Sequence, residues 1–188
     1  NTTVFNVIGY NKYYTTSYAL KPMNFRFKEE IKLKYDHQDK GELNIDPNKP
    51  NYYIGDIVKF KIAPNHNYYH LGWTGDLVDY KGAGYIFNKA NFNVEPIFGV
   101  KLKLNSISQG KIKSNARHSG YLLTNEAQTL EAVPEAGFKF FKWAGDLITP
   151  EIEQNNKIKI NFSEQKLNPQ ISAIFVNDDS QLILSGTN

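Results

Sequence analysis

The pentapeptide Trp73-Thr74-Gly75-Asp76-Leu77 returns as Trp143-Ala144-Gly145-Asp146-Leu147 seventy residues further on, and this recurrence constrains the fold more than any other feature of the chain. The surroundings repeat in the same order. Ile31-Lys32-Leu33-Lys34 recurs as Val100-Lys101-Leu102-Lys103, Gly41 as Gly110, and Ala63-Pro64 as Val133-Pro134. Where the copies differ, the backbone requirement is kept. Gly55 faces Asn125 and Asn67 faces Gly137, and Gly and Asn are the residues that most readily adopt a left-handed backbone, so the same turns are expected in both copies. Units placed in series are typical of spacers, stalks and filament modules, whereas an active site rarely needs two similar scaffolds.

Units of about 70 residues stand near the lower size limit for domains that fold alone, so each needs dense packing or a neighbour. The chain has no cysteine, which excludes disulfide staples and thiolate metal sites. Its 12 Tyr, 12 Phe and 2 Trp must therefore supply the buried rings that hold each unit together. The sequence begins at Asn1 and carries no apolar run approaching the roughly 18 residues of a membrane span or signal-like leader. The expectation is a processed, secreted segment without a membrane span. A net charge of +3, from 22 basic and 19 acidic residues spread along the chain, does not point to a nucleic-acid partner.

Period-two alternation dominates. Ile31, Leu33 and Tyr35 alternate with Lys32, Lys34 and Asp36, and Val100-Leu102-Leu104 with Lys101-Lys103. Lys157-Ile158-Lys159-Ile160-Asn161-Phe162 is a third half-buried strand. Between them, Gly41, Asp46-Pro47-Asn48, Asn65-His66-Asn67, Gly82-Ala83-Gly84 and Pro134-Glu135-Ala136-Gly137 read as turns. Asn125 to Ala132 is the one stretch with a helix-forming composition. Its counterpart Gly55 to Ile62 alternates and is β-branched, so both are assigned as strands. The expected fold is all-β: an N-terminal β segment (1–30), a first β module (31–99), a second (100–177) and a C-terminal tail (178–188). Each module is expected to enclose a small core, with Trp73 beside Tyr68 and Leu71, and Trp143 beside Phe138 and Phe140 or Phe141.

The order of these pieces resembles a known family. Copy one reads Tyr52-Tyr53-Ile54-Gly55, then Ala63-Pro64, Asn67-Tyr68, Trp73-Thr74-Gly75-Asp76 and a close at Ile97-Phe98. Copy two reads Pro134-Glu135-Ala136-Gly137-Phe138-Lys139-Phe140-Phe141-Lys142-Trp143-Ala144-Gly145-Asp146 and closes at Ile174-Phe175. This resembles the divergent internalin B-type repeat of bacterial surface proteins, over about 31 to 177, with the second copy the more faithful. The resemblance implies an extracytoplasmic, non-catalytic module, commonly in tandem, with no substrate, cofactor or catalytic residue. Asn67 and Asn125 stand at family Gly positions, and Leu122 where an aromatic is usual.

Segment 1–30 has two readings. It is the tail of a preceding module, since Phe27 precedes Ile31 much as Phe98 precedes Val100. Alternatively, Val4, Phe5, Val7 and Ile8 form an assembly strand that adds to the sheet of an identical subunit, against which a strand completing the chain's own first module is the favoured reading.

The residues repeated in both copies, Trp73, Gly75, Asp76, Trp143, Gly145 and Asp146, invite a ligand platform, because indole faces stack on sugars and carboxylates take hydroxyls or calcium. The structural reading is favoured: tryptophan in the core and Gly-Asp at a turn, the carboxylate accepting backbone N–H groups. His66 and His70 have helical metal-pair spacing but lie in a turn and strand, and read as surface loop histidines. No nucleophile elbow, cysteine nucleophile or phosphate loop occurs, so no enzyme is expected. Paired lysines at 32 and 34, 101 and 103, 111 and 113, and 157 and 159 form basic stripes; lysine on exposed strands opposes edge-to-edge aggregation, and an acidic surface polysaccharide is the alternative use. The expected function is a structural or adhesive surface module, as a stalk repeat or a pilus-like filament subunit, with adjacent repeats or identical subunits as partners. The alternative is a carbohydrate-binding accessory module of a secreted enzyme. Exposure of the tryptophans separates the two.

Overall fold

A computed structural model describes residues 3–5, 23–25 and 28–179. The described residues are all-β and contain no helix. Strands β1 (Thr3–Phe5) and β2 (Met23–Phe25) pair antiparallel as a two-stranded ribbon. Six strands follow: β3 (Lys32–Lys34), β4 (Gly41–Asp46), β5 (Ile57–Pro64), β6 (Tyr69–Gly75), β7 (Tyr85–Ile86) and β8 (Asn91–Lys101). The rest are β9 (Lys103–Ile107), β10 (Gly110–Ser114), β11 (Tyr121–Leu123), β12 (Gln128–Pro134), β13 (Phe138–Gly145), β14 (Lys157–Ile160) and β15 (Gln170–Asn177).

Strand order repeats along the chain. In the first unit β4, β5 and β7 form one antiparallel sheet, while β8 runs parallel to β3 and antiparallel to β6. In the second, β10, β12 and β14 form the antiparallel sheet, and β15 runs parallel to β9 and antiparallel to β13. The first and last strands of each unit thus lie side by side, which closes the unit on itself. Even the register agrees, with Gly41 opposite Pro64 and Gly110 opposite Pro134.

Alternation explains each core. Val58 and Phe60 of β5 meet Phe92 and Val94 of β8 across the first unit, with Leu77 and Phe87 buried between them. Leu130, Ile158 and Ile160 meet Ile171, Ala173 and Phe175 in the second, around a Trp143 with no exposed surface. Large rings carry the first core: Phe60 stacks on Phe92 at 5.6 Å and meets Trp73, Tyr80, Tyr85 and Phe87 edge-on. Because β7 is only two residues long, the Phe60 N–H passes beyond it and donates to the Tyr80 hydroxyl at 2.9 Å.

The units are joined by a strand, not a linker. β8 pairs with β3 and β6 of the first unit, and its last residues, Gly99 to Lys101, pair with β11 of the second. Alternation lapses there. Phe98, Gly99 and Val100 are buried in succession because both faces of the strand are covered. The boundary expected between 99 and 100 falls inside this strand. The first unit receives its own incoming chain in the same way: Ile54 N–H donates to Glu29 C=O at 2.9 Å, as Thr124 N–H donates to Phe98 C=O at 3.0 Å, and Glu30 bridges Tyr53.

Several expectations are corrected. Tyr68 does not join the first core but packs on the second, its ring 6.1 Å from Phe162. Phe140 is the ring that packs in the second unit, while Phe141 faces outward because a bulge between Phe140 and Lys142 shifts the register. Gly41 opens β4 rather than forming the turn, which lies at His37–Lys40. Asn67 and Gly137 share a left-handed backbone (φ 70° and 82°), but of Gly55 and Asn125 only Gly55 takes it (φ 92°). Leu147 also has positive φ (63°), a strain nothing in its sequence signals.

Candidate functional site

The recurrent Trp-x-Gly-Asp ends β6 and β13, the strands paired with each closing strand. Gly75 and Gly145 have φ of 61° and 112°, which turns the chain off the sheet edge. A side chain at 145 would also strike the backbone carbonyl of Gln170. The following aspartate then reaches back across the edge. Asp76 accepts from Asn93 N–H at 3.0 Å and pairs with Lys89 at 2.5 Å; Asp146 accepts from Gln170 N–H at 3.0 Å and pairs with Lys166 at 2.9 Å. In both units the lysine precedes the donating residue by four positions. Each carboxylate therefore clips the beginning of the closing strand to the end of its neighbour.

The electrostatics follow from these contacts. Desolvation pushes the Asp76 carboxyl up, but the Lys89 ammonium and the Asn93 N–H outweigh it and hold it below the usual carboxylate range. For Asp146 the Gln170 N–H and the Lys166 ammonium do the same. Both stay ionised at neutral pH with their lone pairs engaged, a poor arrangement for proton transfer.

Behind each corner stand three rings. Trp143 contacts Phe140 at 5.6 Å, and Phe140 contacts Phe175 at 6.2 Å. The indole N–H of Trp143 donates to Asn155 C=O at 2.8 Å, so the fully buried ring has its polar atom satisfied. In the first unit Trp73 contacts His70 at 4.5 Å, and His70 contacts Phe98 at 6.3 Å. His70 is therefore not a surface loop histidine: it occupies the place of Phe140, partly buried, with its Nε2 lacking a hydrogen-bond partner. Burial pushes its pKa below the ordinary value, against a smaller opposing effect of the Gly72 backbone. The closing phenylalanines explain another recurrence. A Cβ on Gly41 would lie 3.1 Å from the Phe98 ring and one on Gly110 2.6 Å from the Phe175 ring, so each ring needs a glycine opposite it.

As ligand platforms the tryptophans are poorly placed. Trp143 offers no face to solvent, and Trp73 is partly buried, packed edge-on against Phe60, His70 and Tyr80. A groove of about 390 Å³ crosses the outer side of the β3–β8–β6 sheet, but Lys34, Thr74, Asn93, Glu95 and Asn125 line it, not an indole. Of the expected assembly strand, Val4 and Phe5 lie in β1, paired with β2 of the same chain, and Val7 and Ile8 lie outside the described residues. Sequence reasoning missed Lys89 and Lys166. Their offsets from the aspartates, 13 and 20 residues, differ because the intervening loops differ in length; only counting back from the closing strand aligns them.

Residues 100–178 match the family model of the divergent InlB B-repeat domain. The second unit is thus similar to domains of that family, which are found in bacterial surface proteins. No curated protein and no solved structure matches the chain.

Proposed function

We propose that the first unit is a second copy of the same module and that the pair serves as a non-catalytic structural segment of a bacterial surface protein, holding whatever it carries at a set distance from the cell. One observation carries this reading. The eleven-residue strand β8 belongs to both units, so bending between them requires breaking ladder hydrogen bonds rather than flexing a linker. Side chains across the junction add to it. Tyr69 packs on Tyr121 at 5.1 Å beneath the Lys101 ammonium, and Asn168 donates to the Asn67 side chain at 3.1 Å. The burial of Trp143 argues against the carbohydrate-binding alternative that would rely on indole stacking.

Within this reading the module acts either as a stalk repeat or as a filament subunit joined to identical subunits by strand addition. The ribbon of β1 and β2 keeps the second possibility open, since it pairs with no other described strand. Deleting residues 1–10 separates them. A filament subunit loses assembly in electron micrographs while circular dichroism stays unchanged. A stalk repeat sediments as a monomer with and without the segment.

A further inference from the structure

The β10–β12–β14 sheet of the second unit turns Ile112, Leu130, Ile158 and Ile160 inward and presents the alternate positions to solvent. Lys111 and Lys113 project from one outer strand, and Lys157 and Lys159 from the other. Thr129 and Glu131 lie on the strand between, with Lys113 and Lys157 directly opposite Glu131 and Lys159 opposite Thr129. All four lysines are exposed. Their one carboxylate is weakly engaged, 4.0 Å from Lys157. Four ammonium groups against one carboxylate leave the face with three net positive charges.

The first unit provides an internal comparison in the same register. Glu42 and Asn44 take the places of Lys111 and Lys113, and Lys59 and Lys61 those of Thr129 and Glu131; Asp46 lies opposite Lys59. Two lysines there are balanced by two carboxylates. The first unit thus places lysines on its exposed strands without excess charge, and guarding strands against edge pairing does not by itself call for the imbalance in the second.

We infer that the β10–β12–β14 face is a docking surface for an extended polyanionic glycan bearing carboxylate or phosphate groups along its length. Rows of ammonium groups two residues apart on the outer strands of a sheet can meet successive anionic groups of such a chain. A nucleic acid would call for aromatic side chains among the cations, and a membrane for apolar ones to insert. The face has no aromatic residue, and its one aliphatic side chain is the half-buried Val133. This inference is independent of the stalk reading, because binding to the face is read on the full chain whether single or assembled.

The test is titration of the full chain with sodium polygalacturonate, with neutral dextran, a poly-thymidine oligonucleotide and phosphatidylglycerol vesicles as comparisons. Polygalacturonate binds, dextran does not, and affinity falls steadily as salt rises, as screening of exposed charges requires. The double variant Lys111→Glu/Lys113→Asn, which installs the first unit's residues, weakens binding at least about tenfold with an unchanged circular dichroism spectrum; Glu42→Lys/Asn44→Lys strengthens it. Unchanged affinity in the first variant, equal binding of dextran, or tighter binding of DNA or vesicles than of polygalacturonate overturns the inference.

Discussion

His70 is where a single residue most distinguishes the two units. It completes a ring trio in which the second unit has Phe140 at the same place, and its Nε2 has no partner. Because the folded pKa lies below the ordinary 6.5, the unfolded chain takes up a proton that the folded imidazole resists. The stability due to neutral His70 is present in full above pH 6.5 and declines as pH falls below it. Urea midpoints measured from pH 7.5 to 5 should therefore drop in the first unit, and His70→Phe should flatten that profile. An unchanged slope in the variant would show that His70 is not responsible. The tryptophans, glycines and aspartates of this region were legible in the sequence because they recur as identical letters. The seventy-residue offset places His70 at the position of Phe140, but its burial was not legible, because a histidine following Asn65-His66-Asn67 reads as part of an exposed turn.

Among the elements, the closing strands depend on the aspartate clips. Asp146→Ala removes the Lys166 pair and leaves the Gln170 N–H without its acceptor. The exposed ion pair contributes at most about 1 kcal/mol, and the Gln170 N–H, at an exposed position where water can replace the carboxylate, adds roughly 1 kcal/mol at most. Hydrogen exchange should show the Gln170 amide losing protection while amides in the middle of β15 keep theirs. Loss of protection throughout β15 would mean that the clip holds the whole strand rather than its beginning. Since the Asp146 carboxyl titrates below its unfolded value, its contribution is present above pH 4 and fades as pH falls through the folded pKa. Strand existence followed from alternation at Ile31–Tyr35 and Lys157–Ile160, where one face is core and the other water; Val100–Leu104, expected as one strand, is divided at Leu102 between the end of β8 and the start of β9. Partners did not follow, because the parallel pairing of first and last strands joins residues too distant for any local pattern to connect.

For the whole molecule, the repeated pentapeptide announced two units, and the structure shows the same strand order in each. What the sequence left hidden is how they join. Phe98, Gly99 and Val100 look like a strand ending and another beginning, yet they form one strand buried on both faces. Glycine at 99 permits this: a Cβ there would lie 2.7 Å from Leu71 of the first unit and 3.1 Å from the Leu122 carbonyl of the second. The account stands or falls on whether this shared strand fixes one unit against the other. The chain's lack of cysteine allows spin labels at Lys61→Cys and Lys159→Cys alone, both on exposed strand positions in different units. Pulsed electron–electron resonance should give a single narrow distance peak that broadens when two glycines are inserted between Gly99 and Val100; a broad distribution in the uninterrupted chain would contradict the account.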